Sequence, residues 1–229
     1  MELSEVAANH ATRVLRLGEG DALRVFDGGL EFKATIAAID KRRVVLEVGE
    51  AVASLPERGA RLHLIMSPLK GDLTELVIQK ATELGVDRIS PAIFERTDTV
   101  ARRDPNETRR SRWRRVAVSA AEQSGRANVP RIDPVATLKE VVSTLEDGRE
   151  GEVRVVALEP SLDRRSERLR DPEGVRSIRV AVGPAGGLTE GDLEILSVAS
   201  FLPERFALHT LRSETACLAA LAILGDRFK

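Results

Sequence analysis

One short stretch constrains the fold of this chain more than any other: Val182-Gly183-Pro184-Ala185-Gly186-Gly187-Leu188-Thr189-Glu190. The apolar run Ile178 to Val182 leads into it and reads as a strand, and Glu190 to Ala199 leaves it with helical patterning. Strand, glycine turn, helix is the unit of open α/β sheets, and small ligands bind at such turns. Pro184 fixes its own φ and offers no N–H. Gly183, Gly186 and Gly187 permit positive φ and let a ligand approach the main chain without a Cβ in the way. Thr189, with Asp192 three residues on, is a helix-capping pattern. The same residues also serve a plain strand-to-helix turn that holds no ligand.

The chain around this turn carries the same alternation. Leu62 to Met66 reads as a buried strand, Lys70-Gly71-Asp72 as a turn, and Asp72 with Glu75 as a capping box. Leu73, Leu76, Val77, Ala81 and Leu84 then share one helical face, Gly85 closes the helix, and Val86 to Ile93 is the next strand. Strand, helix, strand in that order implies a parallel sheet with right-handed crossovers. Further on come a helix over Leu138 to Leu145, a strand over Val153 to Leu158 ending at Glu159-Pro160, and a charged surface segment from Arg164 to Asp171. A returning strand is expected over Phe201 to Leu208. A last helix over Glu214 to Leu224, with Ser213 as its N-cap, is apolar on most sides, so it is buried in the fold or against another subunit.

The first part of the chain is different. Ala22 to Phe26 and Leu30 to Ile39 flank the hairpin signal Asp27-Gly28-Gly29, and Arg42 to Val48 follows the turn Asp40-Lys41. Short strands so closely spaced suggest a small barrel or sandwich. Leu55-Pro56-Glu57-Arg58-Gly59 reads as a linker. His10, Arg13 and Arg16 precede the strands, on a nucleic-acid face or on a solvated first helix.

Composition narrows the chemistry. At 229 residues, with 42% apolar and 31% charged residues, the chain suits one large or two small globular domains. A net charge of −1 decides nothing about nucleic acid, but its distribution does. Arg102, Arg103, Arg109, Arg110, Arg112, Arg114 and Arg115 cluster around Trp113, which suits a phosphate backbone and an unstacked base. A solvated arginine face is the other reading. Cys217 is the single cysteine and lies in an apolar segment, so it reads as core. With His10, His63 and His209 far apart, no metal site is expected. No stretch reads as a membrane span or secretory leader, so a cytoplasmic protein with no membrane partner is expected. The phosphate loop Gly-x-x-x-x-Gly-Lys, the fingerprint Gly-x-Gly-x-x-Gly and the elbow Gly-x-Ser-x-Gly are all missing from the sequence. A glycine loop, a polar turn at Leu211-Arg212-Ser213-Glu214-Thr215 and a basic strip remain. They suit a cofactor that brings an activated group to a substrate the protein orients.

Three segments together resemble one family. They are Lys70-Gly71-Asp72 with Gln79-Lys80-Ala81-Thr82-Glu83-Leu84-Gly85-Val86; Ala120-Ala121-Glu122-Gln123-Ser124-Gly125-Arg126, closed by Pro130; and Gly183-Pro184-Ala185-Gly186-Gly187-Leu188 with Leu211-Arg212-Ser213-Glu214-Thr215-Ala216. Arg13-Val14-Leu15-Arg16 with Gly20-Asp21 adds a fourth. In this order they resemble the RsmE family of ribosomal RNA uridine methyltransferases, of the knotted SPOUT superfamily.

The resemblance implies an α/β fold. Residues 1–68 would form a PUA-like RNA-binding β-barrel, and residues 69–229 a SPOUT-type parallel sheet with a C-terminal trefoil knot. It implies S-adenosylmethionine as cofactor, held by Leu158, Glu159, Gly183, Pro184, Gly186, Gly187, Leu188, Leu208 and Leu211. It implies methylation of N3 of a uridine in 16S ribosomal RNA, free or in the small subunit, by a homodimer with its site near the interface. Arg212 would hold the uracil or its developing negative charge, and Glu214 and Thr215 would handle the proton or contact the base. The same Ser213 and Glu214 also suit a simple helix N-terminus. Arg13, Arg16, Lys70, Arg110, Arg112, Gln123 and Arg126 are the expected RNA contacts. Two positions depart from the family. Ala185 stands where a glutamate is usual, and Phe206-Ala207-Leu208-His209-Thr210 lacks the usual glycine after a leucine. Ala185 motivates the alternative of a non-catalytic RNA-binding or ribosome-assembly factor that keeps the fold.

Overall fold

The computed structural model describes residues 1–27, 30–40, 43–52, 59–98, 107–145, 150–160 and 174–228. The chain divides into two compact units, Met1–Glu57 and Arg58–Lys229.

In the first unit, α1 (Glu5–Asn9) runs into a π-helical turn (His10–Val14). The strands β1 (Ala22–Asp27), β2 (Leu30–Asp40) and β3 (Arg43–Val52) then form an antiparallel sheet in the order β1-β2-β3. Side chains alternate across a strand, so Ala34 and Ile36 of β2 and Val44 and Leu46 of β3 point to one face and bury against Ala8 and Val25. Gly28, Gly29 and Lys41, expected in the two hairpin turns, and Arg42, expected to start the third strand, lie outside the described residues, as do all of the expected linker but Gly59 and the segment Arg164 to Asp171.

The second unit opens with β4 (Arg61–Met66), α2 (Leu73–Glu83), β5 (Val86–Ile93) and α3 (Glu107–Ser124). Two short strands, β6 (Arg131–Ile132) and β7 (Ala136–Thr137), precede α4 (Leu138–Ser143) and β8 (Glu152–Ala157). Then come β9 (Ser177–Val182), α5 (Glu190–Val198), β10 (Leu202–Glu204) and α6 (Ser213–Arg227). The sheet order is β10-β8-β9-β4-β5-β6, with β7 also on β5, and each pairing is parallel. The strand β4 is therefore part of this sheet, and the units divide at 57/58 rather than at the expected 68/69. No helix of the described residues is long and apolar enough to cross a membrane.

Period-two alternation gives the sheet two covered faces. Leu62, Leu64 and Met66 of β4 meet Val77 and Ile78 of α2, Trp113 of α3 and Leu221 of α6. Ile65 and Ala181 meet Leu138 and Val141 of α4 and Leu193 and Leu196 of α5. Nearer the strands' N-terminal ends, that second parity carries charge instead. Arg154, Arg179, His63 and Arg88 stand side by side in the register of β8, β9, β4 and β5.

Several local expectations are corrected. The buried stripe of α2 is Thr74, Val77, Ile78, Ala81 and Thr82, which leaves Leu73, Leu76 and Leu84 exposed. Asp72 makes no side-chain cap; Thr74 Oγ1 takes the Leu69 N–H at 2.8 Å, and Asp72 and Glu75 turn to Arg112 instead. Gly85 does close α2, with φ +93°. The returning strand is only Leu202–Glu204, because the ladder with β8 ends at Glu204 opposite Ala157. Arg212, extended and without a side-chain cap bond, occupies the N-cap of α6, and Ser213 is already helical.

Candidate active site

The strands β8 and β9 run parallel and side by side, so the residues after them, Leu158-Glu159-Pro160 and the glycine turn, emerge together. The segment Phe206 to Glu214, leading into α6, faces both, and Leu73 closes one side. Between them lies a cleft of about 450 Å³. It sits at the carboxyl ends of the strands, where open parallel sheets bind ligands.

The turn is held by its own chemistry. The Gly187 N–H donates to the Pro184 carbonyl at 2.9 Å, and Gly187 has φ +79°. A Cβ on Gly183 would stand 2.7 Å from Leu188 Cδ2, so the Leu188 side chain folds over bare backbone there. These glycines thus serve the packing of the turn itself as well as any ligand. Thr189 and Asp192 form the capping box read from the sequence, each side chain accepting the other's N–H at 3.1 Å.

A second segment clasps the turn from outside. After β5, Phe94 N–H donates to Thr97 Oγ1 at 2.8 Å, and Thr97 Oγ1 meets Ser67 Oγ at 3.0 Å. This brings Glu95 to the start of α5, where its N–H donates to Asp192 Oδ1 at 3.1 Å and its carboxylate accepts from Thr189 Oγ1 at 2.7 Å. Arg96 Nη1 donates to the Gly186 carbonyl at 3.1 Å.

The residues expected to hold a cofactor divide accordingly. Leu158, Glu159, Gly183, Pro184, Leu188 and Leu211 line the cleft, as does Ala185. Gly186 and Gly187 complete the turn behind it, and Leu208 stands 90% exposed, outside the lining. Arg212 and Glu214 line the cleft, while Thr215 is exposed one residue further along α6. Phe206, His209 and Thr210, from the segment that departs from the family pattern, also line it, as does Leu73, which the sequence marked only as part of a helical face.

The sequence matches the family described as RNA methyltransferase domain over residues 56–225, and that described as RNA methyltransferase PUA domain over residues 4–49. It is 30% identical to the ribosomal RNA small subunit methyltransferase E of Bacillus subtilis, over 95% of this chain and 86% of that protein. It is equally 30% identical to the Rickettsia conorii protein of the same name, over 95% of this chain and 87% of that one. A crystal structure of the Neisseria gonorrhoeae ribosomal RNA small subunit methyltransferase E, bound to S-adenosyl methionine, superposes with a TM-score of 0.85 at 30% identity. That match covers 99% of this chain and 91% of that one. The chain belongs to the RsmE family.

In this RsmE chain the cations expected to meet RNA are mostly engaged with protein. Lys70 pairs with Asp98 at 2.9 Å, Arg110 with Glu107 at 2.7 Å, and Arg112 with Glu75 at 2.8 Å and Asp72 at 3.3 Å. Exposed pairs of this kind are weak and can exchange for a phosphate. Arg126 differs: its guanidinium donates to the Thr82 and Val86 carbonyls at 2.8 and 2.9 Å, so it closes the end of α2. Gln123 is exposed on α3, and Arg13 and Arg16 are exposed in the first unit, Arg16 with φ +57°. Trp113 does not present its ring to a base. It is 1% exposed in the core of the sheet's first face, with the Arg109 guanidinium 5.0 Å from its centroid. Arg102 and Arg103 lie outside the described residues. Cys217 is buried, and that burial pushes its thiol well above the usual range, so it is packing rather than a nucleophile.

Proposed function

We propose that this chain transfers a methyl group from S-adenosylmethionine to N3 of a uridine in 16S ribosomal RNA. The observation that carries the reading is the cleft itself, which gathers Leu158, Glu159, the glycine turn and Leu211 to Glu214 from three separated stretches. Its size falls in the range of about 300–1,000 Å³ typical of small-molecule sites. The residues suit the donor. Leu158, Leu188 and Phe206 offer apolar surface for an adenine, and the turn and Leu211 offer main-chain groups for its polar edge. Glu159 and Glu214 put carboxylates where a cationic ligand is favoured, though Ala185 is not one. When bound, S-adenosylmethionine supplies an electrophilic methyl group on a sulfonium.

The protein's part is orientation and charge. Uracil N3 becomes a good nucleophile once its proton leaves. In this reading Arg212 holds the base and the negative charge that develops on it. Glu214 accepts the proton or contacts the base, and Thr215 contacts the base from the exposed end of α6. Arg13 and Arg16 of the PUA unit, read as a small barrel, and Lys70, Arg110, Arg112 and Gln123 of the second unit hold the RNA. The domain beyond the PUA unit is read as a SPOUT domain whose C-terminal segment forms a trefoil knot. Support comes from Phe206 to Arg212 lying against both the β8 end and the glycine turn. The chain is read as a cytoplasmic homodimer. Leu76, exposed on α2 one turn from the cleft residue Leu73, supports an interface next to the site.

Calorimetry with S-adenosylmethionine, followed by mass-spectrometric mapping of 16S ribosomal RNA from cells lacking the protein, tests the reading. The expected result is donor binding and the loss of one N3-methyluridine. Unchanged ribosomal RNA together with no donor binding overturns it.

A further inference from the structure

The apex of the glycine turn is held by a side chain that the cleft does not contain. Arg96 Nη1 donates to the Gly186 carbonyl, and a Cβ on Gly186 would stand only 3.1 Å from Arg96 Cβ and 3.3 Å from its carbonyl oxygen. The close approach of the two backbones therefore depends on glycine at 186. The rest of the clasp leaves the apex alone: Glu95 holds Thr189 and Asp192, at the far end of the turn.

Arg96 has capacity left over. A guanidinium carries five N–H donors in a planar fork, and the Gly186 carbonyl takes one. The side chain is exposed, and among the described residues no carboxylate pairs with it. In this it differs from Lys70, Arg110 and Arg112, each of which already carries an ion pair. A fork with one edge on a carbonyl and the other in solvent fits a phosphate oxygen pair.

We propose that Arg96 is a positioning residue that couples RNA to the donor pocket: one edge of its guanidinium pins Gly186, and the other takes a phosphate of the RNA strand. This rests on the reading of the chain as an RNA methyltransferase. A phosphate that fixes the Arg96 side chain also fixes the apex of the turn that lines the cleft. RNA then tightens donor binding, and by linkage the donor tightens RNA binding by the same factor.

The test compares the full-length protein with Arg96→Ala and Arg96→Lys. Binding of 16S ribosomal RNA is measured across a salt series, and S-adenosylmethionine binding with and without that RNA. The wild-type protein is expected to bind the donor about 5-fold or more tighter with RNA present, at the lower end of allosteric coupling. Arg96→Ala is expected to abolish that difference and to reduce the salt slope of RNA binding by about 0.7–0.9, one phosphate contact. Arg96→Lys, which keeps the charge, is expected to restore the slope. If Arg96→Ala keeps both slope and coupling, the proposal is overturned. If it weakens donor binding with the slope unchanged, Arg96 is only a brace for the turn, and the proposal is equally overturned. Failure of the underlying reading looks different: the wild-type protein then binds neither donor nor RNA, and both ideas fall.

Discussion

The Glu159 carboxylate occupies the space that a side chain at Gly187 would need, since a Cβ there would stand 2.7 Å from Glu159 Oε1. The two residues come from the ends of different strands, and their contact joins the two walls of the cleft. Gly187 also has φ +79°, where a Cβ costs about 1–2 kcal/mol. Gly187→Ala is therefore expected to lower the melting temperature and to weaken S-adenosylmethionine binding by about tenfold, the equivalent of roughly 1.4 kcal/mol. Adding Glu159→Ala removes the clash but not the backbone strain. The double variant should lose less stability than the two single losses combined, which thermal melts of all four proteins will read.

Arg212 lines the cleft, is exposed, and makes no side-chain cap to α6. Its removal leaves the helix start intact, so Arg212→Ala should melt like the parent. If Arg212 stabilises charge on the uracil, the single-turnover methylation rate falls by about 100-fold, as for loss of one preorganised donor. Donor affinity by calorimetry should move little. An unchanged rate would remove Arg212 from the reaction.

What the sequence made legible was local, and what it hid was distant. The glycine turn, the Thr189–Asp192 box and the Gly85 stop each depend on residues within a few positions, and each is present. The Asp72–Glu75 box has the same spelling, yet Arg112, forty residues away, draws both carboxylates off. Trp113 reads as an exposed aromatic among arginines. The small residues Ala117, Ala120 and Ala121 at helical spacing, all buried with it, mark the face that takes it inside. Arg96 gave no signal at all, because its partner Gly186 lies ninety residues on.

Arg126 separates a structural from a nucleic-acid role. It donates two charged hydrogen bonds, to the Thr82 carbonyl in the last turn of α2 at 2.8 Å and to the Val86 carbonyl beyond it at 2.9 Å. Bonds of this kind contribute about 1.5–3 kcal/mol where they are buried, and less where, as here, the side chain is only half-buried. Arg126→Ala should lower the urea midpoint clearly, while the salt slope of RNA binding stays at the wild-type value. A fall in that slope would return Arg126 to the RNA-binding set.

Acid should unfold this protein through the row of charge that crosses its sheet. His63 Nε2 lies 2.7 Å from Ser90 Oγ, which donates to Asp133 Oδ2 at 2.5 Å, and His63 Nδ1 lies 3.2 Å from Arg179 Nη1. A guanidinium has only donors, so Nδ1 accepts and Nε2 carries the proton toward Ser90. Burial first, then the charges of Arg88 and Arg179, lower the His63 pKa to about 3. An unfolded chain binds that proton near pH 6.5, while the folded one refuses it until about pH 3. Stability from this group is thus intact above pH 6.5 and falls as pH drops between those two values, by on the order of 4–5 kcal/mol in all. Burial pushes the Asp133 and Glu152 carboxyls up, but hydrogen bonds from Ser90 and Arg88 to the first, and from Arg179 and Arg154 to the second, outweigh it. Both end below their ordinary values of 3.8 and 4.5, so both also lose stability as pH falls below those values. His63→Gln keeps a polar side chain but cannot take up the proton. It should start less stable at pH 7.5 and then lose markedly less between pH 6.5 and 4.5 than the parent, in urea titrations at each pH. Parallel curves for the two proteins would show that His63 is not the group that titrates.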